Sequence, residues 1–294
     1  MAEKNSAVEC VWPVGAMLGE GPFWSAREQA VWFVDIKGRA IHRYHEPTGK
    51  TRSWSTPPDP GFILPAHDGR LIVGLRAGLH HFDPATGEFK LLQVVEPQAT
   101  HNRLNDGFVD ADGYLWFGSM DDNEKEPTGV LYQLLQSGCR SRDDGYVITN
   151  GPTASPDNRT LYHTDTLKKE IYAFARGREG ELSGKRVFAR MGEGDGYPDG
   201  PIVDTAGCVW SGLYGGWGLN RYAPDGRLME KLSLPCSNVT KAAFGGSDLR
   251  TLYITTAWKG LKPEERAKQS LAGGLFRVRV DVAGLPQSTI VHGL

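Results

Sequence analysis

Six short strands of one design recur along this chain, each anchored by one large apolar side chain: Trp32, Ile72, Trp116, Tyr162, Trp210 and Tyr253. The intervals between anchors are 40, 44, 46, 48 and 43 residues. A period of that size marks a repeat architecture, in which each unit is one small sheet that buries its faces against its neighbours. A second alternating strand follows in each unit, as at residues 41–44, 79–82, 171–174 and 219–222. Most anchored strands are preceded by tight-turn pairs: Asp68-Gly69, Asp112-Gly113, Asp157-Asn158 and Ala206-Gly207. Such residues tolerate the left-handed backbone of short hairpins. Six units predict an all-β, six-bladed β-propeller, with residues 1–294 forming a single domain. A ring of sheets must close or leave two edges open. Residues 8–17 read as a strand outside the repeat count, expected to pair with the last blade near residues 287–292. One helix is expected, at residues 263–269.

The repeat also carries chemistry. Four units place an oxygen-bearing side chain at a shared slot, 11 or 12 residues before the anchor: Glu20, Asn105, Asn150 and Asp199. Equivalent positions in a closed ring converge on one axis. Glu20, Asn150 and Asp199 supply two carboxylates and an amide carbonyl. That set suits one divalent cation such as Ca²⁺, Mg²⁺, Mn²⁺ or Fe²⁺, with Zn²⁺ less favoured in the absence of His or Cys at the slot. Three protein ligands leave positions open for water and substrate. Taken singly, Asn105-Asp106, Asn150-Gly151 and Asp199-Gly200 are ordinary turn pairs. Their equivalence across repeats favours the site, because the other two units carry Gly61-Phe62-Ile63 and Val239-Thr240 near the slot. Arg103, beside Asn105, either holds a polyhydroxylated or anionic small molecule or forms a salt bridge within its loop. The residues leave both readings open.

Other classes are disfavoured. The net charge is −2 and no block of Lys or Arg stands out, so neither a nucleic-acid nor a membrane partner is indicated. No apolar run approaches a bilayer-spanning length. The N-terminal residues lack a secretory pattern, and the four cysteines lack metal-type or paired spacing, which points to reduced thiols in a cytoplasmic protein. No nucleophile-elbow, phosphate-cradling or dinucleotide motif is present. His80, His81 and His163 lie in strands and read as packed or solvent-facing, whereas His101 adjoins Asn102. Propeller blades leave only short edges, so a monomer is the default expectation.

The segments Leu18-Gly19-Glu20-Gly21-Pro22, Asn102-Arg103-Leu104-Asn105-Asp106-Gly107, Gly118-Ser119-Met120, Thr149-Asn150-Gly151-Pro152 and Tyr197-Pro198-Asp199-Gly200 occur in this order across most of the chain. Together they resemble the regucalcin, gluconolactonase and senescence-marker family of six-bladed propellers. Residues 160–167 and 271–274 are similar to bacterial sugar-acid lactonases of pentose oxidation, xylonolactonase among them. The resemblance implies metal ligation by Glu20, Asn150 and Asp199, and substrate contacts from Arg103 and Asn105. Several relatives carry a substrate-binding glutamate shortly after the Gly-Thr/Ser-Met element. This chain has Asp121-Asp122-Asn123 before Glu124, and Asp122 is taken as the substrate-side carboxylate. The implied reaction is hydrolysis of a sugar lactone (xylonolactone, arabinonolactone or gluconolactone) to the aldonic acid, with Asp199 as both ligand and general base. A paraoxonase-like arylesterase or phosphotriesterase, and a non-enzymatic calcium-binding propeller, are the alternatives.

Overall fold

The computed structural model describes residues 7–76 and 78–294. They form six four-stranded antiparallel sheets arranged as the blades of a propeller. The innermost strands are Gly19–Ser25, Pro60–Pro65, Asn102–Val109, Thr149–Ala154, Tyr197–Val203 and Val239–Gly245, in blades 1 to 6. Each packs against the next, and the last packs against the first. The anchors all lie on the second strand of their blade and are all buried. Repetition of one large side chain per sheet thus becomes a ring of packing contacts. Where the ring closes, Trp24 of blade 1 stacks on Tyr253 of blade 6, with ring centroids 5.4 Å apart.

Closure differs from the expectation in one respect. The N-terminal strand Glu9–Trp12 does complete blade 6, but it pairs with Leu275–Arg279, in the register Glu9↔Arg277 and Cys10↔Phe276. Residues 287–292 run elsewhere. Ile290 bridges Ala66 in blade 2, and the Val291 N–H donates to the Gly113 carbonyl in blade 3. The physical reason is the open edge: the blade 6 hairpin ends at Leu275–Arg279, whose outer backbone groups need a partner. The expected helix is present as Pro263–Lys268, between the second and third strands of blade 6. Among the described residues no helix is long and apolar enough to cross a membrane, and all four cysteines are unpaired.

One irregularity builds the site. In every blade the innermost strand carries one residue more than its neighbour where the two pair. In blade 3 Asn105 and Asp106 stand opposite Gly118; in blade 5 Asp199 and Gly200 oppose Gly212; in blade 6 Thr240 and Lys241 oppose Thr255. A bulge bends the strand and re-aims its side chains. Six of them around one axis turn polar side chains into the channel instead of into the sheet stack.

Candidate active site

Glu20, Asn150 and Asp199, from blades 1, 4 and 5, line one cavity of about 300 Å³ together with Arg103 and Asn105 of blade 3. All five are at least 95% buried. The slot in the repeat therefore corresponds to a place in space.

The amide of Asn150 is oriented by its surroundings. Its Nδ2 donates to Thr166 Oγ1 at 2.8 Å, and that hydroxyl donates to the Pro198 carbonyl at 3.0 Å. Oδ1 is thereby turned the other way, where it accepts from Asn105 Nδ2 at 3.0 Å. Gly151 follows at φ +78°, a conformation that suits glycine, and it lets the strand bulge just past the amide. Asn105 is held in turn by Arg103, whose Nη1 donates to its Oδ1 at 2.6 Å, and it donates to the Thr149 carbonyl at 2.6 Å.

The carboxylates are left open. Glu20 accepts the N–H of Gly21 at 3.0 Å, and Asp199 that of Gly200 at 2.9 Å. Neither forms an ion pair among the described residues. Burial, followed by the charges of Asp199 and Asp106, pushes the Glu20 carboxyl well above its ordinary range. Burial above all, with Asp106 adding to it, pushes Asp199 up to about 7. Two desolvated carboxylates facing one another are unstable as anions unless a cation joins them. An amide oxygen aimed at the same space completes an all-oxygen donor set, which fits a hard divalent ion.

Beneath this site lies an ion pair that the repeat pattern concealed. Lys241 of blade 6 reaches Asp106 of blade 3, directly across the ring, with Nζ at 2.6 and 2.7 Å from the two carboxylate oxygens. Asp106 also accepts the N–H groups of Gly107 and Gly151. Gly200 makes room for this crossing, since a Cβ there would come within 2.6 Å of Lys241 Cδ. Lys241 also lines a second cavity of about 330 Å³ with a mainly apolar wall, including Phe62, Val109 and Phe244. The pair therefore stands between the two cavities. It was detectable, because Lys241 precedes Tyr253 by 12 residues, the offset of Glu20 and Asn150 from their own anchors.

Asp122 is not among the residues that line the site cavity; Glu124 is. The Asp122 carboxylate accepts from Lys37 Nζ at 2.5 Å, from Arg103 Nε at 2.9 Å and from Arg76. Burial by itself would raise its pKa, but the hydrogen bonds from Lys37 and Arg76 and the Arg103 charge hold it far below the ordinary carboxylate value. Arg103 thus satisfies both readings offered for it, since it makes a salt bridge and also faces the cavity. The cavity gains Tyr214, Thr166 and Lys259, which the sequence pattern did not single out. His163 is fully buried edge-on against Tyr146, and burial lowers its pKa to about 3. His101 is exposed and is not part of the cavity wall.

Comparison with known proteins agrees with this geometry. The model of the SMP-30/Gluconolactonase/LRE-like region matches residues 18–258. The chain is 34% identical to 6-deoxy-6-sulfogluconolactonase of Pseudomonas putida over 95% of its own length and 97% of the relative's. It is also 34% identical to L-arabinolactonase of Azospirillum brasilense, over 91% and 90% of the two chains. Among solved structures, the calcium-binding protein regucalcin from Agrobacterium tumefaciens superposes with a TM-score of 0.93 at 25% identity, covering 97% of this chain and 98% of that one. The matched region contains every blade's innermost strand, and with them Glu20, Asn150 and Asp199: the chain belongs to the SMP-30/gluconolactonase/LRE-like family.

Proposed function

We propose that this protein is a divalent-metal-dependent sugar lactonase that opens an aldonolactone to its aldonic acid. The observation that carries the reading is the pair of buried carboxylates, Glu20 and Asp199, facing a fixed amide oxygen with no protein cation to neutralise them among the described residues. The two relatives at 34% identity, named as lactonases of a sulfonated gluconolactone and of L-arabinolactone, support the same reaction class.

Glu20, Asn150 and Asp199 would hold the metal, which would supply Lewis-acid polarisation of the lactone carbonyl and neutralise the charge that develops there. Asp199 has a second task. Its carboxylate takes a proton from water as the water oxygen bonds to the carbonyl carbon. The ring C–O bond then breaks, and the proton passes to the departing ring oxygen, which leaves as the sugar hydroxyl. A carboxyl pushed up by burial is a better base than an exposed one, and general-base assistance contributes roughly 10²- to 10⁴-fold. Arg103 and Asn105, held rigidly by Asp122 and Thr149, present donors that orient sugar hydroxyls. The cavity is the size expected for a small-molecule site.

The test is a pH-stat assay over a panel of pentono- and hexonolactones, with and without chelator, alongside aryl esters. Chelator-sensitive hydrolysis of lactones over aryl esters is expected. A metal-binding protein that opens none of the lactones would instead be a scaffold, and the reading would fail.

A further inference from the structure

The cavity mouth carries a charge pattern that lactone opening by itself does not use. Glu124 from blade 3 and Lys259 from blade 6 both line the cavity, and their side chains form an ion pair with each other. Both backbones are pinned. The Asp121 carboxylate accepts the N–H groups of Asn123, Lys125 and Glu126, which fixes the turn bearing Glu124. The Lys259 N–H donates to the Met17 carbonyl at 2.9 Å, and the Lys259 carbonyl accepts from Asn238 Nδ2 at 3.0 Å and from the Tyr214 hydroxyl. Only the side chains are free to exchange partners, at 38% and 29% exposure.

The rest of the rim is cationic. The ion-paired network reached through Arg103 joins Lys37, Arg39 and Arg76 to Asp59 and Asp122. With Lys259 and Glu124 added, five cations meet three carboxylates, so two positive charges remain. The floor holds two negative charges, Glu20 and Asp199, and a divalent ion would cancel them. The loaded site would then be positive at its rim. A neutral sugar lactone leaves that charge unanswered, whereas a ligand anion at the mouth would answer it. A part-exposed ion pair such as Glu124–Lys259 costs little to exchange for another.

The geometry points to a sugar lactone bearing a fixed anion (a carboxylate, sulfonate or phosphate) on the carbon far from the reacting carbonyl as the preferred substrate class. Lys259 receives the anion, and Glu124, released, accepts a hydrogen bond from a sugar hydroxyl. This inference rests on the lactonase reading. Lys259 acts on specificity and takes no part in bond breaking.

The experiment compares kcat/KM for glucono-1,5-lactone and its 6-phosphate in the metal-loaded wild type, Lys259→Met and Lys259→Arg, at low and high ionic strength. Lys259→Met keeps every backbone contact described above, and a thermal melt checks its fold. The wild type is expected to favour the anionic lactone by roughly tenfold or more, mainly through KM, with the preference shrinking as salt rises. Lys259→Met loses the preference and Lys259→Arg restores most of it. Equal or better turnover of the neutral lactone by the wild type, or a preference that survives Lys259→Met, overturns the inference and leaves the lactonase reading standing. Failure to open either lactone removes both.

Discussion

Asp199 and Asp204 lie on the same edge of blade 5, five residues apart, and both are almost wholly buried, yet the protein treats them oppositely. Asp204 is saturated. It accepts the N–H groups of Ala206 and Cys208, the indole N–H of Trp210 at 3.0 Å and the Arg221 guanidinium at 2.8 and 2.9 Å. Asp110 repeats the arrangement in blade 3, with Trp116 at 2.8 Å and Arg176 at 2.7 Å. Asp199 accepts a single backbone N–H, from Gly200. At one end of the strand a carboxylate ties an anchor tryptophan to an arginine. At the other a carboxylate waits for a cation that the chain does not supply. Burial alone therefore does not mark a functional acid; burial without internal satisfaction does.

The sharpest break of this comparison is Asp199→Asn. Turnover of lactones should fall by roughly 10³-fold or more, since both the ligand charge and the base are lost. The melting temperature of the metal-free protein should stay level or rise, because an uncompensated buried charge has been removed. Loss of stability with full activity in the folded fraction would erase the distinction between the two aspartates.

Asp204→Asn should do the reverse. It leaves Arg221 buried without its counter-charge, which costs about 3–5 kcal/mol. Urea unfolding should register that cost while kcat/KM of the folded enzyme stays near wild type. Lys241→Met strands Asp106 in the same way and should lose a similar amount. Adding Asp106→Leu should recover part of it, and the double-mutant cycle measures the coupling across the channel.

A smaller effect comes from pH. With chelator present, the raised Asp199 pKa means that the folded state holds its proton more tightly than the unfolded chain does. That stabilisation is complete below the ordinary value of 3.8 and is lost as pH rises through about 7. The melting temperature should drop across this window by on the order of 5 °C. Excess divalent ion should abolish or invert the slope, because it binds the deprotonated carboxylates. In Asp199→Asn the slope should be largely gone. An unchanged slope in that variant would assign the titration to another group.

How much of this was legible from residues alone follows from what each feature depends on. The anchors and turn pairs are local and recur, so the blades could be counted, and Glu20, Asn105, Asn150 and Asp199 share one offset, so their meeting could be derived. Asp106–Lys241 joins residues 135 apart on opposite blades, and its meaning appears only when the ring is closed. Asp122 was legible as a carboxylate after the third anchored strand. Its capture by Lys37 and Arg76, from neighbouring blades, was not. The partner of the N-terminal strand was misplaced because strand pairing is settled by which edge remains open, and hydrophobic pattern alone carries no record of that.

The least perturbing change is Asp248→Asn, and it supplies the third point of the comparison. Asp248 receives a two-pronged guanidinium, from Arg279, with contacts at 2.6 and 2.8 Å. The chemistry matches that of Asp204 and Arg221, but both partners are about half exposed. Water already solvates each ion, so pairing them adds little and breaking the pair strands nothing. Neither the melting temperature nor kcat/KM should move measurably. If Asp248→Asn proved as damaging as Asp204→Asn, the number of arginine contacts would be what matters, and desolvation would no longer explain why Asp199 and Asp204 behave differently.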